Sequence, residues 1–204
     1  MTDKLHYLRI PNGMGARAEM VRMAYVLAKR PYVDVFHDFA NAGQAVGGKN
    51  PYKQFPFVET DSGEIIYQTL AIMHHAGGWP TGQALTKALM VAMGAYDLYQ
   101  AFAGFSADDA AAKKKFEERR VPQYMGALGE IYAKTNFAAG DTPCFADCIA
   151  HEAIAWTVRR NEVAKRTFEA NKSLVDFVAR FRGVPAIKEF MARQAAAREK
   201  DNAV

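Results

Sequence analysis

The chain has 204 residues, half of them hydrophobic and 12% aromatic, which is enough apolar material for one large or two small folded domains. That composition excludes a disordered chain, a collagen-like repeat and a coiled coil. The 26 Lys and Arg exceed the 22 Asp and Glu by a net +4, a spread-out excess that suits small anions better than nucleic acid. The densest basic stretch, residues 113–120, also carries Glu117 and Glu118 at helical spacing and reads as a solvated helix face. Cys144 and Cys148 lie one helical turn apart and suggest neither a disulfide framework nor a metal site. Met1-Thr2-Asp3-Lys4 runs directly into an apolar strand, without the apolar core of a signal peptide. The most apolar stretch, residues 88–105, is interrupted by Asp97 and Gln100 and is too short and polar to span a membrane. The expectation is a reduced, soluble, cytoplasmic protein.

In chain order, residues 5–10 read as a short apolar strand, followed by a Pro-Asn-Gly-Met-Gly turn at residues 11–15. Residues 16–29 carry helical periodicity through Met20, Met23, Ala24 and Leu27. Residues 32–39 alternate as a second strand, and the Gly- and Asn-rich stretch 40–53 reads as a loop with room for one short helix. Residues 55–60 and 64–67 are strands joined by the Asp61-Ser62-Gly63 turn. A helix over residues 68–75 ends near Gly77-Gly78, with Pro80 beyond. This order of elements resembles a thioredoxin-like unit. Past the linker at residues 77–82 every segment reads as helix: 85–105, 107–135, 145–160, 172–182 and 185–198. The expected architecture is an α/β thioredoxin-like N-terminal domain over residues 1–79 and an all-α helical bundle over residues 83–204.

Within the first part, Pro51-Tyr52-Lys53-Gln54-Phe55-Pro56-Phe57-Val58 leads through the Asp-Ser-Gly turn to Ile66-Tyr67-Gln68-Thr69-Leu70-Ala71-Ile72. In the second, Gly140-Asp141-Thr142-Pro143-Cys144-Phe145-Ala146-Asp147 precedes a helix, and Phe177-x-x-Arg180 precedes Val184-Pro185-Ala186-Ile187-Lys188. These motifs, in this order, resemble the cytosolic glutathione transferases over essentially the whole chain. The last of them resembles the terminal helix-turn-helix of the alpha, mu, pi and sigma branch. The resemblance implies a cis bond at Phe55-Pro56, the residue type at which cis bonds occur. It implies that Gln68-Thr69 opens a helix whose free amides receive the γ-glutamyl carboxylate of glutathione. Alone, the pair would read equally as a helix cap. The segment before Asp147 resembles the family's buried capping box, with Cys144 in place of the usual Ser or Thr, so one capping bond is expected to be weakened or moved.

A thiol of pKa about 8.5 is mostly protonated at neutral pH, so an enzyme using glutathione must stabilise its thiolate with a hydrogen-bond donor. The resemblance assigns that donor to Tyr7, in Lys4-Leu5-His6-Tyr7-Leu8-Arg9-Ile10; on position alone Tyr7 would be a packing residue of the strand. Pro11-Asn12-Gly13 lengthens the loop that follows, leaving Asn12 and Arg17 as alternative donors to the sulfur. Arg17 can also steer the glutathione carboxylates or be a helix-surface residue. Sigma- and mu-like relatives carry a Trp and a Lys in the second-strand loop; this loop has Lys49 and Lys53, of which Lys49 is preferred for the glycyl carboxylate. Gln54, which directly precedes the Phe55-Pro56 pair, is preferred over Lys49 as a glutathione-gripping residue, and the cis bond that the resemblance implies turns the Phe55 backbone toward the tripeptide. Asp97 is the candidate for meeting the amine of glutathione across a dimer, or else a satisfied core group.

The resemblance further implies an acceptor pocket to which Tyr96, Tyr99 and Phe102 contribute, although an aromatic stripe at that spacing is also how a core looks. His74-His75 read as packing or surface residues, since no third metal ligand accompanies them. The expected protein is a homodimeric, Tyr-type glutathione transferase of the sigma/mu/alpha kind. It would conjugate glutathione, a co-substrate rather than a resident cofactor, to hydrophobic electrophiles, with no metal, nucleic acid or membrane involved. The alternatives are a glutathione-dependent isomerase resembling prostaglandin synthases, and a non-catalytic ligand-binding or structural relative.

Overall fold

The computed structural model describes residues 2–10, 16–104 and 109–201. The contacts divide the chain into two units, Met1–Gly78 with Pro185–Val204, and Trp79–Val184. The first unit holds β1 (Asp3–Leu8), α1 (Ala16–Leu27), β2 (Tyr32–His37), α2 (Ala42–Val46), β3 (Phe57–Glu59), β4 (Ile65–Tyr67) and α3 (Thr69–Ala76). The strands form one sheet in the order β2-β1-β3-β4. β1 and β2 are parallel, which requires a crossover, and α1 supplies it. β3 pairs antiparallel with β1 and β4, the latter through the expected tight turn. β1 begins two residues earlier than the apolar run suggests, because Asp3 has partners that make its burial tolerable. Its carboxylate is 2% exposed. It accepts from Tyr25 Oη at 2.8 Å, Arg30 Nε at 3.0 Å and His75 Nε2 at 2.9 Å. β1, α1 and α3 are thereby pinned at one point, and burial together with the Asp3 carboxylate pushes the Tyr25 phenol up.

Strand alternation puts Leu5 and Tyr7, 0% and 8% exposed, on the same face as Asp3. The stretch read as a loop contains a single 3-10 turn at Phe39–Asn41 and then α2. Helix α10 (Pro185–Asp201) also belongs to this unit, where Ala186 and Glu189 line a groove with Tyr25 of α1 and with Lys29 just beyond it.

The second unit is helical: α4 (Gly82–Ala103), α5 (Ala110–Lys115), α6 (Val121–Tyr132), α7 (Phe145–Val158), α8 (Glu162–Ala170) and α9 (Lys172–Gly183). A π turn over Phe116–Arg120 joins α5 to α6. Pro122, the second residue of α6, cannot donate to residue 118, and the wider turn accommodates it. Helix α8 was not expected from the sequence. Its signal is Asn161, whose Oδ1 accepts from the Ala164 amide at 2.9 Å as an N-cap.

Cys144 caps α7 with a sulfur in the capping-box position, and the carboxylate of Asp147 carries the hydrogen bonding. Asp147, fully buried, accepts from the Cys144 amide at 2.9 Å, the Ala138 amide at 2.8 Å and Tyr132 Oη at 3.1 Å. Both cysteines are free and buried, and burial pushes the Cys144 thiol up to about 12. Stacked pairs Tyr132–Phe177 and Trp79–Phe145 fill the space around this helix start. Among the described residues, no helix is long and apolar enough to cross a membrane.

Candidate functional site

Chain reversals on both sides of β3 create a small cleft in the first unit. Before β3, Asn50 is 2% exposed. It donates from Nδ2 to the Gln54 carbonyl at 2.7 Å, while its Oδ1 accepts from the Tyr52 amide at 2.9 Å. These bonds fold residues 50–54 into a tight loop in which Lys53 takes a positive φ of 51°. The loop delivers Phe55 and a cis Phe55–Pro56 bond to the start of β3.

After β4, Gln68 turns the chain into α3 with φ 72° and ψ 126°. A side chain other than glycine rarely holds that conformation, and it costs on the order of 1–3 kcal/mol. The Gln68 side chain makes no cap bond to the first turn of α3, which leaves the positive end of this helix without a cap from its own N-cap residue.

Arg17, Asn50, Gln54, Phe55, Pro56, Gln68 and Thr69 line the resulting cleft, a tight one whose volume is about 10 Å³. Six of these seven were singled out in the sequence; Asn50 was not. An Asn four residues before a Gln-Phe-Pro carries no local mark of its role, because its bonds go to loop backbone that only the fold brings near. The cleft gathers one guanidinium, three side-chain amides (that of Asn50 held by the loop) and the first turn of α3, a set of donors fitted to a carboxylate-bearing peptide.

The remaining candidates lie elsewhere. Tyr7 is buried on β1, opposite Phe36 in register, and is not among the cleft-lining residues. Asn12 falls outside the described residues, as does the whole turn 11–15. Lys49 reaches Glu59 instead of the cleft, with Nζ–Oε2 3.1 Å. Lys4 grips the same carboxylate at 2.9 Å, and the two ammonium groups hold the Glu59 carboxyl down to about 2. Asp97 is exposed on α4, which removes the core alternative for it. Tyr99 is 5% exposed and its ring meets Trp156 at 5.7 Å and Tyr96 at 6.0 Å, so it helps form the interior of the second unit. Tyr96 is half-buried beside it, and Phe102 packs on Phe116 at 5.4 Å. His75 is engaged with Asp3, as described above.

An aromatic cluster next to the cleft was not anticipated. His6 is stacked between His37 and Phe57, with ring centroids 5.2 and 4.4 Å away, and His37 in turn meets Phe55 at 5.4 Å. His6 Nδ1 and His37 Nε2 are 2.9 Å apart, a hydrogen bond that needs one of the rings neutral. Burial, then the neighbouring His37, hold the His6 imidazole down to about 4, and burial also lowers that of His37. The pair supports the cis-proline loop from beneath as neutral rings.

Residues 96–194 match the family model of the glutathione S-transferase C-terminal domain. No curated protein is matched by sequence. Solved structures with the same fold include a pi-class glutathione S-transferase of Onchocerca volvulus, with a TM-score of 0.80 at 18% identity, covering 97% of this chain and 96% of that one. The prostaglandin synthase D of Nilaparvata lugens gives 0.78 at 16% identity, covering 94% and 98%. A monomeric glutathione S-transferase of the hookworm Necator americanus gives 0.77 at 18%, covering 95% and 97%.

Proposed function

We propose that this chain, whose residues 96–194 match the glutathione S-transferase C-terminal domain model and whose fold is that of the glutathione transferases, binds glutathione and transfers it to hydrophobic electrophiles. The observation that carries this reading is the cleft of Arg17, Asn50, Gln54, Phe55, Pro56, Gln68 and Thr69. In it the γ-glutamyl carboxylate sits against Gln68, Thr69 and the open end of α3, Arg17 steers the anionic ends, and the Phe55 backbone pairs with the tripeptide. Lys49 offers a second cation for the glycyl carboxylate, in competition with Glu59.

The thiolate is stabilised by the hydroxyl of Tyr7, which makes this a Tyr-type enzyme of the sigma/mu/alpha kind. Residues 1–79 form the glutathione domain and residues 83–204 the helical domain, although α10 at its end groups by contacts with the first unit, and Tyr96 and Tyr99 contribute to the acceptor pocket. Exposed Tyr52 in one unit and Met90 and Met93 in the other support a homodimer in which Asp97 meets the partner's glutathione amine. A soluble cytoplasmic setting fits this co-substrate. The likeness to a prostaglandin synthase favours a second reading, a glutathione-dependent isomerase using the same cleft and the same thiolate.

Retention on immobilised glutathione tests the binding step. The wild-type chain is expected to be retained and eluted by free glutathione, and Gln68→Ala to flow through while melting normally. Equal retention of the variant would remove Gln68 from the site. Turnover of an aromatic halide, set beside rearrangement of a prostaglandin endoperoxide, separates the two catalytic readings.

A further inference from the structure

Four rings from β1, β2, β3 and the cis-proline loop close into a cycle beside the cleft. His6 of β1 stacks on His37 of β2 with centroids 5.2 Å apart and on Phe57 of β3 at 4.4 Å. Phe55 meets His37 at 5.4 Å and Phe57 at 5.5 Å, which completes the cycle. Of the four, Phe55 lines the cleft. Its ring is held from two sides, and its carbonyl belongs to the cis bond with Pro56.

The polar link in this cycle is the 2.9 Å bond between His6 Nδ1 and His37 Nε2. Burial sets its direction. His6 is 6% exposed, and its Nε2 has no hydrogen-bond partner among the described residues. If His37 donated, His6 would carry its proton on Nε2 as a buried N–H without an acceptor, the rarer kind of orphan in folded proteins. His6 therefore donates from Nδ1 and leaves a bare lone pair at Nε2, while His37 accepts and keeps its own proton on Nδ1. A further proton on His37 undoes this arrangement. The imidazolium has N–H groups at both nitrogens and accepts nothing, so His6 must move its proton to the orphaned Nε2 or the rings part. Burial opposes a positive ring first, at both histidines. His37, Lys49 and Lys4 oppose it further at His6, against the pull of Glu59, and Lys49 opposes it at His37, against Asp38.

We propose that His37 is a positioning residue for glutathione: as acceptor of the His6 bond it clamps the Phe55 ring, and a proton on His37 loosens that clamp and the peptide held by Phe55. This rests on the glutathione reading of the cleft and adds to it an acid-sensitive support that lies outside the cleft lining. Neutral His37 favours binding, so affinity is full above the ring's pKa, which burial sets below the ordinary 6.5, and falls as pH drops through it.

S-methylglutathione is the probe, because its sulfur has no proton to lose. Calorimetry on the intact protein is expected to show affinity falling by about two- to tenfold from pH 7.5 to 4.5, the worth of one hydrogen bond. His37→Gln offers His6 an amide oxygen and takes no proton. It should match the wild type at pH 7.5 and lose less affinity at pH 4.5. His37→Leu offers no acceptor and should bind about two- to tenfold more weakly at pH 7.5. Melting at each pH verifies that every sample is folded, and if His37→Leu is not, the His37→Gln profile decides. A support that only fills space would give His37→Gln and the wild type the same pH profile. Coincident profiles on a wild type that binds the probe overturn this inference alone, as does a folded His37→Leu with wild-type affinity. A wild type that binds no probe at pH 7.5 overturns the glutathione reading together with it.

Discussion

Asn50 donates to the Gln54 carbonyl at 2.7 Å, and this bond sets the geometry of the whole cis-proline loop. With its oxygen holding the Tyr52 amide at 2.9 Å, one buried side chain adds two bonds to the backbone bond from the Lys53 amide to the Asn50 carbonyl at 2.9 Å. Asn50→Ala removes both bonds and leaves buried polar groups unmet, at a cost of about 1–3 kcal/mol. For a chain of this size that is a fall in melting temperature of about 2–4 °C per kcal/mol. Glutathione affinity should fall further than stability alone predicts, because Gln54 and Phe55 lose their placement. Calorimetric melting alongside glutathione titration checks this, and unchanged affinity would separate the loop from the site.

Gln68 separates stability from binding in the opposite direction. Its φ of 72° and ψ of 126° are open to glycine at little cost and strained for any other side chain. Gln68→Gly should therefore be more stable than Gln68→Ala by about 1 kcal/mol, while both lose retention on immobilised glutathione. If Gln68→Gly melts below Gln68→Ala, the backbone there is not strained in solution.

Acid should destabilise the fold earlier than carboxylate protonation alone would. The His6 and His151 imidazoles are held down to about 4 and about 3, chiefly by burial, whereas in the unfolded chain both take up protons near the ordinary 6.5. The unfolded state thus binds more protons between these values, so the stability is full above about pH 6.5 and is lost as pH falls through 4 toward 3. Melting temperature followed from pH 7.5 to 4 should decline through this window. His151→Gln, which keeps an acceptor for Arg182 and takes no proton, should decline less steeply. A flat wild-type profile from pH 7 to 4 would contradict the neutral burial of both rings.

The parts of this molecule legible in the sequence are those written in local pattern. The strands, α1, α3 and the turn at Asp61-Ser62-Gly63 followed from periodicity and turn chemistry, and the thioredoxin-like sheet with a helical bundle followed from their order. Helix α8 is short and strongly charged, and only its Asn161 cap announces it. Asn50 and the His6–His37 stack escaped notice for a different reason: their partners lie in other strands or in loop backbone, and no spacing encodes that meeting. Asp3 was passed over because an acid before an apolar run reads as surface until Tyr25, Arg30 and His75 converge on it. Among the site residues, the sequence brought together those that flank Pro56 and Gln68, where backbone shape and chemistry coincide.

The central claim is that this chain binds glutathione and lowers the pKa of its thiol. The direct measurement is the ultraviolet absorbance of thiolate as pH is raised on the protein with glutathione, for the wild type and Tyr7→Phe. The account predicts thiolate on the wild type well below the free thiol's pKa of about 8.5, with Tyr7→Phe still binding glutathione but titrating near the free value. Thiolate appearing only near the free value on the wild type would contradict activation altogether, and an early thiolate that survives in Tyr7→Phe would take the role away from Tyr7.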